Sequence, residues 1–138
     1  MASLLYNSAL NDALRGSIDF DTDTFKMMLV TGTYAPDKDA HSKRNQVTNE
    51  AAGTGYTAGG SACACTVALN TGTDQVTLTF AQTSWAGATL TARGCVIYKS
   101  RGGASTADEL VGYGDFGSDV TATGGTFTVN SGVFTFQN

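Results

Sequence analysis

The single histidine of the chain, His41, is the residue on which any hydrolase chemistry would depend. A catalytic histidine needs a carboxylate to orient it and a nucleophile beside it, held to within about half an ångström. His41 stands among Asp39, Ser42 and Lys43 in a segment that the pattern predicts to be a mobile loop. Cys95, a candidate nucleophile, lies in an apolar run typical of a core strand. These patterns predict that the chain is not an enzyme.

The three cysteines, Cys63, Cys65 and Cys95, are an odd number and do not form a framework of disulfides. Cys63 and Cys65 are two residues apart, so in a strand both would lie on one face as small apolar side chains. A zinc site that combined them with His41 would lack the ligand spacing of known zinc modules. We therefore expect reduced, buried thiols and no bound metal.

Three alternating carboxylates, Asp19, Asp21 and Asp23, match the opening of a calcium-binding loop. Such a loop requires glycine at its sixth position and glutamate at its twelfth, where this chain has Thr24 and Val30. The match therefore fails after its first half, and the sequence predicts a solvated turn that leads into a strand.

Gly53, Gly55 and Ala58 fit the G-x-G-x-x-A pattern of dinucleotide-binding loops. That pattern binds phosphate only between a strand and a helix N-terminus. Here a polar stretch precedes the motif, and two more glycines and a predicted strand follow it. The motif is predicted to be a flexible turn, and no cofactor is expected.

Composition and charge narrow the class of protein. A length of 138 residues is typical of a single domain, so we expect one domain over residues 1–138. Charged residues make up only 14%, whereas glycine (17 residues) and the β-branched threonine are frequent, which favours short strands joined by tight turns. The net charge of −4 predicts no direct binding to nucleic acid or to an anionic membrane. Neither a secretory signal nor a membrane-spanning segment is expected.

Hydrophobic periodicity predicts an all-β domain, an antiparallel β-sandwich or jelly-roll-like fold with one short N-terminal helix. The helix is predicted over Ser3–Arg15, within a segment of residues 1–16 that Gly16 ends, and residues 32–59 are predicted to be a long loop. Asn130-Ser131-Gly132 is predicted to close a hairpin. The predicted strands are Thr24–Thr31, Ala62–Leu69, Gln75–Phe80, Leu90–Ser100, Leu110–Phe116, Thr126–Val129 and Val133–Gln137.

Two parts of the chain have no evident role inside a sandwich. One is the apolar stripe of the predicted N-terminal helix, formed by Leu4, Leu5, Leu10 and Leu14, and the other is the long loop. The stripe could cover the domain's own sheet or bind a partner, and the loop could be mobile or ordered by a partner. Trp85 lies beyond a predicted strand end, where it would either cap the core or project into an interface. The candidate interface residues are Leu4, Leu5, Leu10, Leu14, Tyr34, His41, Tyr56 and Trp85.

Over roughly residues 9–120, the order and spacing of several short strings resemble those of small virion structural proteins of tailed phages. The strings are Asp21–Lys26, Tyr34-Ala35-Pro36, His41, Asn49-Glu50, Gly53–Gly60, Trp85-Ala86, Thr91–Lys99 and Leu110–Gly117. The resemblance implies a protein of the virion, made in the cytoplasm of the bacterial host. It carries no catalytic motif.

Some members of that family are capsid decoration (cement) proteins, β-rich trimers on the outer face of the head. The resemblance thus implies a decoration protein that binds across subunits of the major capsid protein and stabilises the DNA-filled head. A homo-oligomer, in particular a homotrimer, is expected. Two alternatives remain open at this point: a tail or head–tail joining protein, and a carbohydrate-binding or adhesion module displayed on the virion.

Overall fold

Two antiparallel sheets and one short helix make up the structure, a computed structural model that describes residues 2–138. Strand accounts for 52% of the chain and helix for 8%, which confirms the predicted all-β, sandwich-like fold with a short N-terminal helix. The elements are β1 (Ala2–Leu5), α1 (Asn7–Leu14), β2 (Phe25–Val30), a 3₁₀ turn (Arg44–Gln46), β3 (Ser61–Ala62), β4 (Cys65–Asn70), β5 (Gln75–Phe80), β6 (Thr83–Lys99), β7 (Leu110–Val129) and β8 (Gly132–Gln137). The large sheet has the strand order β1-β7-β6-β2-β3, and the small sheet has the order β4-β5-β8.

The main core lies between the two sheets. Alternate residues of β2, Phe25, Met27 and Leu29, are buried there together with Leu78 and Phe80 of β5. The rings of Phe25 and Phe80 meet edge to face, with centroids 5.7 Å apart. Because side chains alternate along a strand, this face accounts for half of β2.

The opposite face of β2 is also buried, since the long loop of residues 32–59 lies over it. Met28 and Val30 pack there in a second cluster with Tyr34 of the loop, Tyr6 and Tyr98. The loop therefore serves as a third layer of its own domain. This arrangement corrects the expectation that the loop has no role in the fold and is mobile or ordered only by a partner.

The glycine-rich part of the loop is held close to the sheet, so it is not the flexible turn that the sequence predicted. A Cβ atom added to Gly60 would lie 1.8 Å from the carbonyl oxygen of Met27, and one added to Gly53 would lie 2.1 Å from that of Thr89. Only glycine permits such close approach of two backbones. The hydroxyl of Tyr98 donates a hydrogen bond of 2.6 Å to the carbonyl of Gly59 and fixes the same segment.

The predicted N-terminal helix is wrong over its first residues, because Ala2–Leu5 form strand β1 and the helix begins at Asn7. Leu4 lies opposite Tyr113 of β7, and Leu5 lies opposite Gly112. A Cβ atom on Gly112 would lie 2.7 Å from the ring of Phe134 and 3.2 Å from the Leu4 carbonyl oxygen, so glycine leaves room for the Phe134 ring and for β1 at this position. Met1, part of the predicted helical segment, lies outside the described residues.

Two predicted strands, Leu110–Phe116 and Thr126–Val129, are parts of the single long strand β7. Gly117 and Gly124, which lie between the two predicted strands, have φ of +85° and +68° but do not reverse the chain. Likewise β6 begins at Thr83 and runs through Gly87, beside a shift in its register with β7. Glycines of this conformation are absorbed as bulges in a strongly twisted strand pair.

Asn130-Ser131-Gly132 connects the two sheets and does not close a hairpin between neighbouring strands. β8 pairs with β5, with Phe134 opposite Leu78, and it makes no pairing with β7. The two nearby cysteines also differ from prediction, because Cys63 follows β3 and Cys65 begins β4, so they do not share one strand. All three cysteines are free; Cys63 and Cys95 are buried, whereas Cys65, which was also expected to be buried, is only half-buried.

Candidate interaction surface

Exposed apolar side chains concentrate where α1 approaches the small sheet. Among the described residues, Leu14 of α1 is 89% exposed and Leu69 of β4 is 71% exposed. Leu10 of α1 and Val67 of β4 are each exposed by about two-fifths. Isolated exposed apolar residues are normal, but a group of them in one region marks an interaction surface. We call these four residues the apolar end of the molecule.

An open groove of about 780 Å³ lies between α1 and the inner face of the small sheet. Leu10 and Ala13 form its helical side, and Val67, Val76 and Phe136 are among the residues of its sheet side. A second depression of about 280 Å³, lined by Leu69, adjoins it through the shared Val76 and Phe136. The groove and the second depression are therefore continuous, and α1 forms one side of the groove.

The groove is open because β4 extends past the part of the sandwich where the two sheets cover each other. Val67 lies opposite Leu78 and Leu69 lies opposite Val76, so all four side chains point to the same face of the small sheet. Leu78 is buried against the main core, whereas Val67 and Leu69 are exposed. The inward face of the sheet therefore continues as an uncovered surface along β4.

The groove is lined in part by two acidic residues, Asp19 and Asp21. The backbone N–H of Asp21 donates a hydrogen bond of 3.0 Å to the Asp19 carboxylate. Backbone and side-chain hydrogen bonds of this turn hold the pKa of Asp19 below its ordinary value. The alternating aspartates thus form a hydrogen-bonded turn with negative charge beside an apolar surface.

His41 belongs to a hydrogen-bonded network with the hydroxyl groups of Tyr34 and Tyr6, and this network stabilises the long loop. Its Nδ1 lies 3.1 Å from the hydroxyl of Tyr34, and that hydroxyl lies 2.7 Å from the hydroxyl of Tyr6. Tyr6 and Tyr34 are buried, and burial raises the pKa of both phenols. The rings of Tyr34 and His41 are stacked. This arrangement positions the loop on the large sheet.

Tyr56 and Trp85 also serve the interior of the chain. The hydroxyl of Tyr56 accepts a hydrogen bond from the backbone N–H of Leu29 (2.9 Å) and donates one to Glu50 (2.7 Å). Burial raises the pKa of Tyr56. Trp85 is buried against Phe127, and its Nε1–H has no hydrogen-bond partner among the described residues.

Two of the candidate interface residues predicted from the sequence, Leu10 and Leu14, belong to the apolar end. Leu4 and Leu5 are half-buried in β1 and pack against the two core clusters, and Tyr34 and Trp85 are buried in the core. Val67 and Leu69 were missed as interface residues. Their alternation with polar residues is typical of a half-buried strand, and only the tertiary structure shows that β4 lies at an uncovered edge.

The part of the chain from residue 2 to residue 138 shows no group of three or more His, Cys, Asp or Glu residues placed to hold a metal ion. No helix in this part is long and apolar enough to cross a membrane. No family model, no curated protein and no solved structure matches the chain at a significant level.

Proposed function

We propose that the chain is a structural protein of a tailed-phage virion and not an enzyme. In this proposal it is a capsid decoration protein that binds across subunits of the major capsid protein and stabilises the DNA-filled head. The observation that carries the proposal is the apolar end, where Leu10 and Val67 are exposed in the lining of one groove and Leu69 is exposed in the depression that adjoins it. The resemblance of the sequence to small virion proteins supports the same role.

The apolar end can supply the binding energy that a decoration protein needs. Full burial of one leucine side chain contributes about 1.5–3 kcal/mol. In a homo-oligomer, several such surfaces would engage neighbouring coat subunits at the same time, and the high effective concentration would make a modest contact long-lived. Decoration of this kind requires a rigid domain with an exposed binding surface, and it requires no catalytic group.

The third layer of the fold supports the mechanical part of the proposal. The long loop is tied to the 100–109 connection by hydrogen bonds from the backbone N–H of Arg44 to the Asp108 carbonyl and from that of Asn45 to the Ser105 carbonyl. A clamp must keep its shape when DNA pressure separates the subunits that it joins. Ties between distant parts of the chain serve that requirement.

A sugar-binding module displayed on the virion is less well supported. Stacking of sugars requires exposed aromatic faces, and the aromatic rings among the candidate interface residues are those of Trp85, Tyr34, Tyr56 and His41. Trp85 and Tyr34 are buried, and Tyr56 is half-buried with its hydroxyl bound to Glu50. These three side chains are therefore engaged inside the domain.

The direct test is binding of the purified chain to heads that lack it. We expect saturable binding to expanded heads, and Leu10→Gln should weaken it, whereas Val120→Gln should not. Val120 lies on β7 and, like Leu10, is 42% exposed, so it is a matched control. Failure of the unmodified chain to bind any head preparation would overturn the proposal.

Copy number in purified virions separates decoration from the tail or head–tail joining role. A decoration protein should be present at a number comparable to that of the coat protein, measured by quantitative protein staining. A joining protein would be present in few copies.

A further inference from the structure

The small sheet has a long, unpaired edge at β4. In the described residues, β4 pairs with β5 on one side and with no strand on the other. The edges of the large sheet are much shorter, because β1 has four residues and β3 has two, whereas β4 has six. Short edge strands discourage pairing with another chain, and long ones invite it.

The free hydrogen-bonding groups of this edge belong to the residues that carry the exposed apolar side chains. The backbone N–H of Ala81 donates to the carbonyl of Ala64, and hydrogen-bonded pairs alternate along an antiparallel ladder. Thr66, Ala68 and Asn70 therefore bond to β5. The backbone groups of Cys65, Val67 and Leu69 point away from the sheet.

The edge carries none of the devices that usually prevent association. The three strands of the small sheet have six residues each, and none of them contains Asp, Glu, Lys, Arg or Pro. No bulge interrupts the pairing of β4 with β5. Charges, prolines and bulges are the usual protection of exposed edges.

The composition of β4 permits a second copy of this chain to occupy the edge. The chain has a net charge of −4, so two copies repel each other over most of their surface. β4 is uncharged over its whole length, so pairing along it places no like charges opposite each other within the two paired strands. An antiparallel pair of identical strands is also self-complementary about a twofold axis.

We propose that β4 pairs antiparallel with β4 of a second copy, which joins the two small sheets into one continuous sheet across a dimer. The register that buries the most apolar surface places Val67 of each chain opposite Leu69 of the other. Both side chains then lie on the inner face of the sheet, where the two grooves meet. In this register Ala68 lies opposite Ala68 of the second copy, at the twofold axis.

The inference shares Val67 and Leu69 with the surface that carries the proposed function, but it concerns how copies of the chain associate, and its test uses the chain alone without any head preparation. It also differs from the threefold assembly that the resemblance implies. Self-pairing of one edge produces a twofold dimer, whereas a trimer requires two different surfaces that meet head to tail. The mass of the assembly distinguishes the two.

The test measures mass by sedimentation or light scattering over a range of concentrations, with circular dichroism to confirm folding. We expect the unmodified chain to have twice the 14.2 kDa mass of one copy. Leu69→Lys on β4 should give a folded monomer, or raise the dimer Kd by more than about tenfold. Val133→Lys on β8 should leave the dimer intact, and it is a matched control because Val133 is also exposed on an edge strand of the same sheet.

Amide hydrogen exchange provides a second measurement that does not depend on a substitution. The amides of Val67 and Leu69 should become protected as the protein concentration rises, whereas the amide of Thr135 on β8 should not. A monomer at every concentration, a trimer, or a dimer that Leu69→Lys does not weaken would overturn the inference. A dimer that Val133→Lys dissociates as readily as Leu69→Lys would overturn it as well.

Discussion

Arg44 and Asp108 are 64 residues apart in the chain, and the Nε of Arg44 lies 2.7 Å from a carboxylate oxygen of Asp108. Asp108 is fully buried, and its other carboxylate oxygen accepts a hydrogen bond from the backbone N–H of Arg101. The guanidinium of Arg44 also lies over the ring of Tyr98, 5.0 Å from its centroid. One side chain thus links the long loop, the 100–109 connection and the large sheet.

Removal of Arg44 should therefore be costly. We expect Arg44→Ala to lower the free energy of unfolding by about 3 kcal/mol, because it leaves the buried Asp108 carboxylate without its cation. Arg93→Ala is the control, since the Arg93–Asp115 pair is partly exposed on both sides and its loss should cost much less than the loss of Arg44. Urea denaturation of the two variants measures both values. Equal losses would contradict a special role for Arg44.

Gly60→Ala should prevent folding or reduce the free energy of unfolding by more than about 4 kcal/mol. The added methyl group would overlap the Met27 carbonyl oxygen, and the φ of +75° is unfavourable for alanine. Gly102→Ala separates these two effects, because Gly102 has a φ of +78° but no atom within 4 Å of the added carbon. The control should lose only about 1–2 kcal/mol from backbone strain. Thermal unfolding followed by circular dichroism gives both results.

Stability should fall in acid through Glu109. This buried carboxylate accepts a 2.7 Å hydrogen bond from Arg101 and lies 3.3 Å from the Nζ of Lys43. Burial alone would raise the pKa of Glu109, but the Arg101 hydrogen bonds and the Lys43 charge outweigh it, and the pKa is lowered. Because the folded-state pKa is below the unfolded one, the stabilisation is complete above the ordinary glutamate pKa. It is lost as the pH falls through the lowered folded-state value.

The comparison of Glu109→Gln with the unmodified chain isolates this contribution. The variant should be less stable at neutral pH by about 1–2 kcal/mol. The difference between the two proteins should shrink as the pH is lowered below about 4. Denaturation midpoints measured at several pH values test it, and a difference that does not change with pH would contradict the assignment to Glu109.

The cysteines should be inert in the folded chain. Burial raises the pKa of Cys95 to about 12 and that of Cys65 to about 11. Since the thiolate is the reactive form, iodoacetamide at pH 8 should label the native protein slowly and the urea-unfolded protein fully. Cys65 should be the first to react, because it is only half-buried. Mass spectrometry after timed labelling reads each site, and fast native labelling of Cys95 would contradict the expectation.

Local sequence patterns were sufficient to predict those elements whose bounds do not depend on distant parts of the chain. Strand Gln75–Phe80 was predicted with its observed bounds, because Val76, Leu78 and Phe80 alternate with polar residues and turn residues precede the strand. The all-β class followed from the same alternation in other strands. Fold class is therefore accessible from periodicity in this chain.

Elements that depend on distant partners were predicted less well. Leu4 and Leu5 fit a helix stripe as well as a strand, and only the edge of β7 decides between the two. Gly117 and Gly124 carry the positive φ of a turn, but the paired strand β6 keeps the chain extended. For the surface, Leu10 and Leu14 were found from the helical period. Val67 and Leu69 were missed because their exposure depends on where the large sheet ends.

The pairing of β1 with β7 has a consequence for synthesis of the protein on the ribosome. Leu4 can form its backbone hydrogen bonds only after Tyr113, its partner in the sheet, has been synthesised. At translation rates of about 5–20 residues per second, the delay is roughly 5–20 s. Throughout that time the nascent chain displays Leu4 and Leu5 without their strand partner, where they are accessible to chaperones.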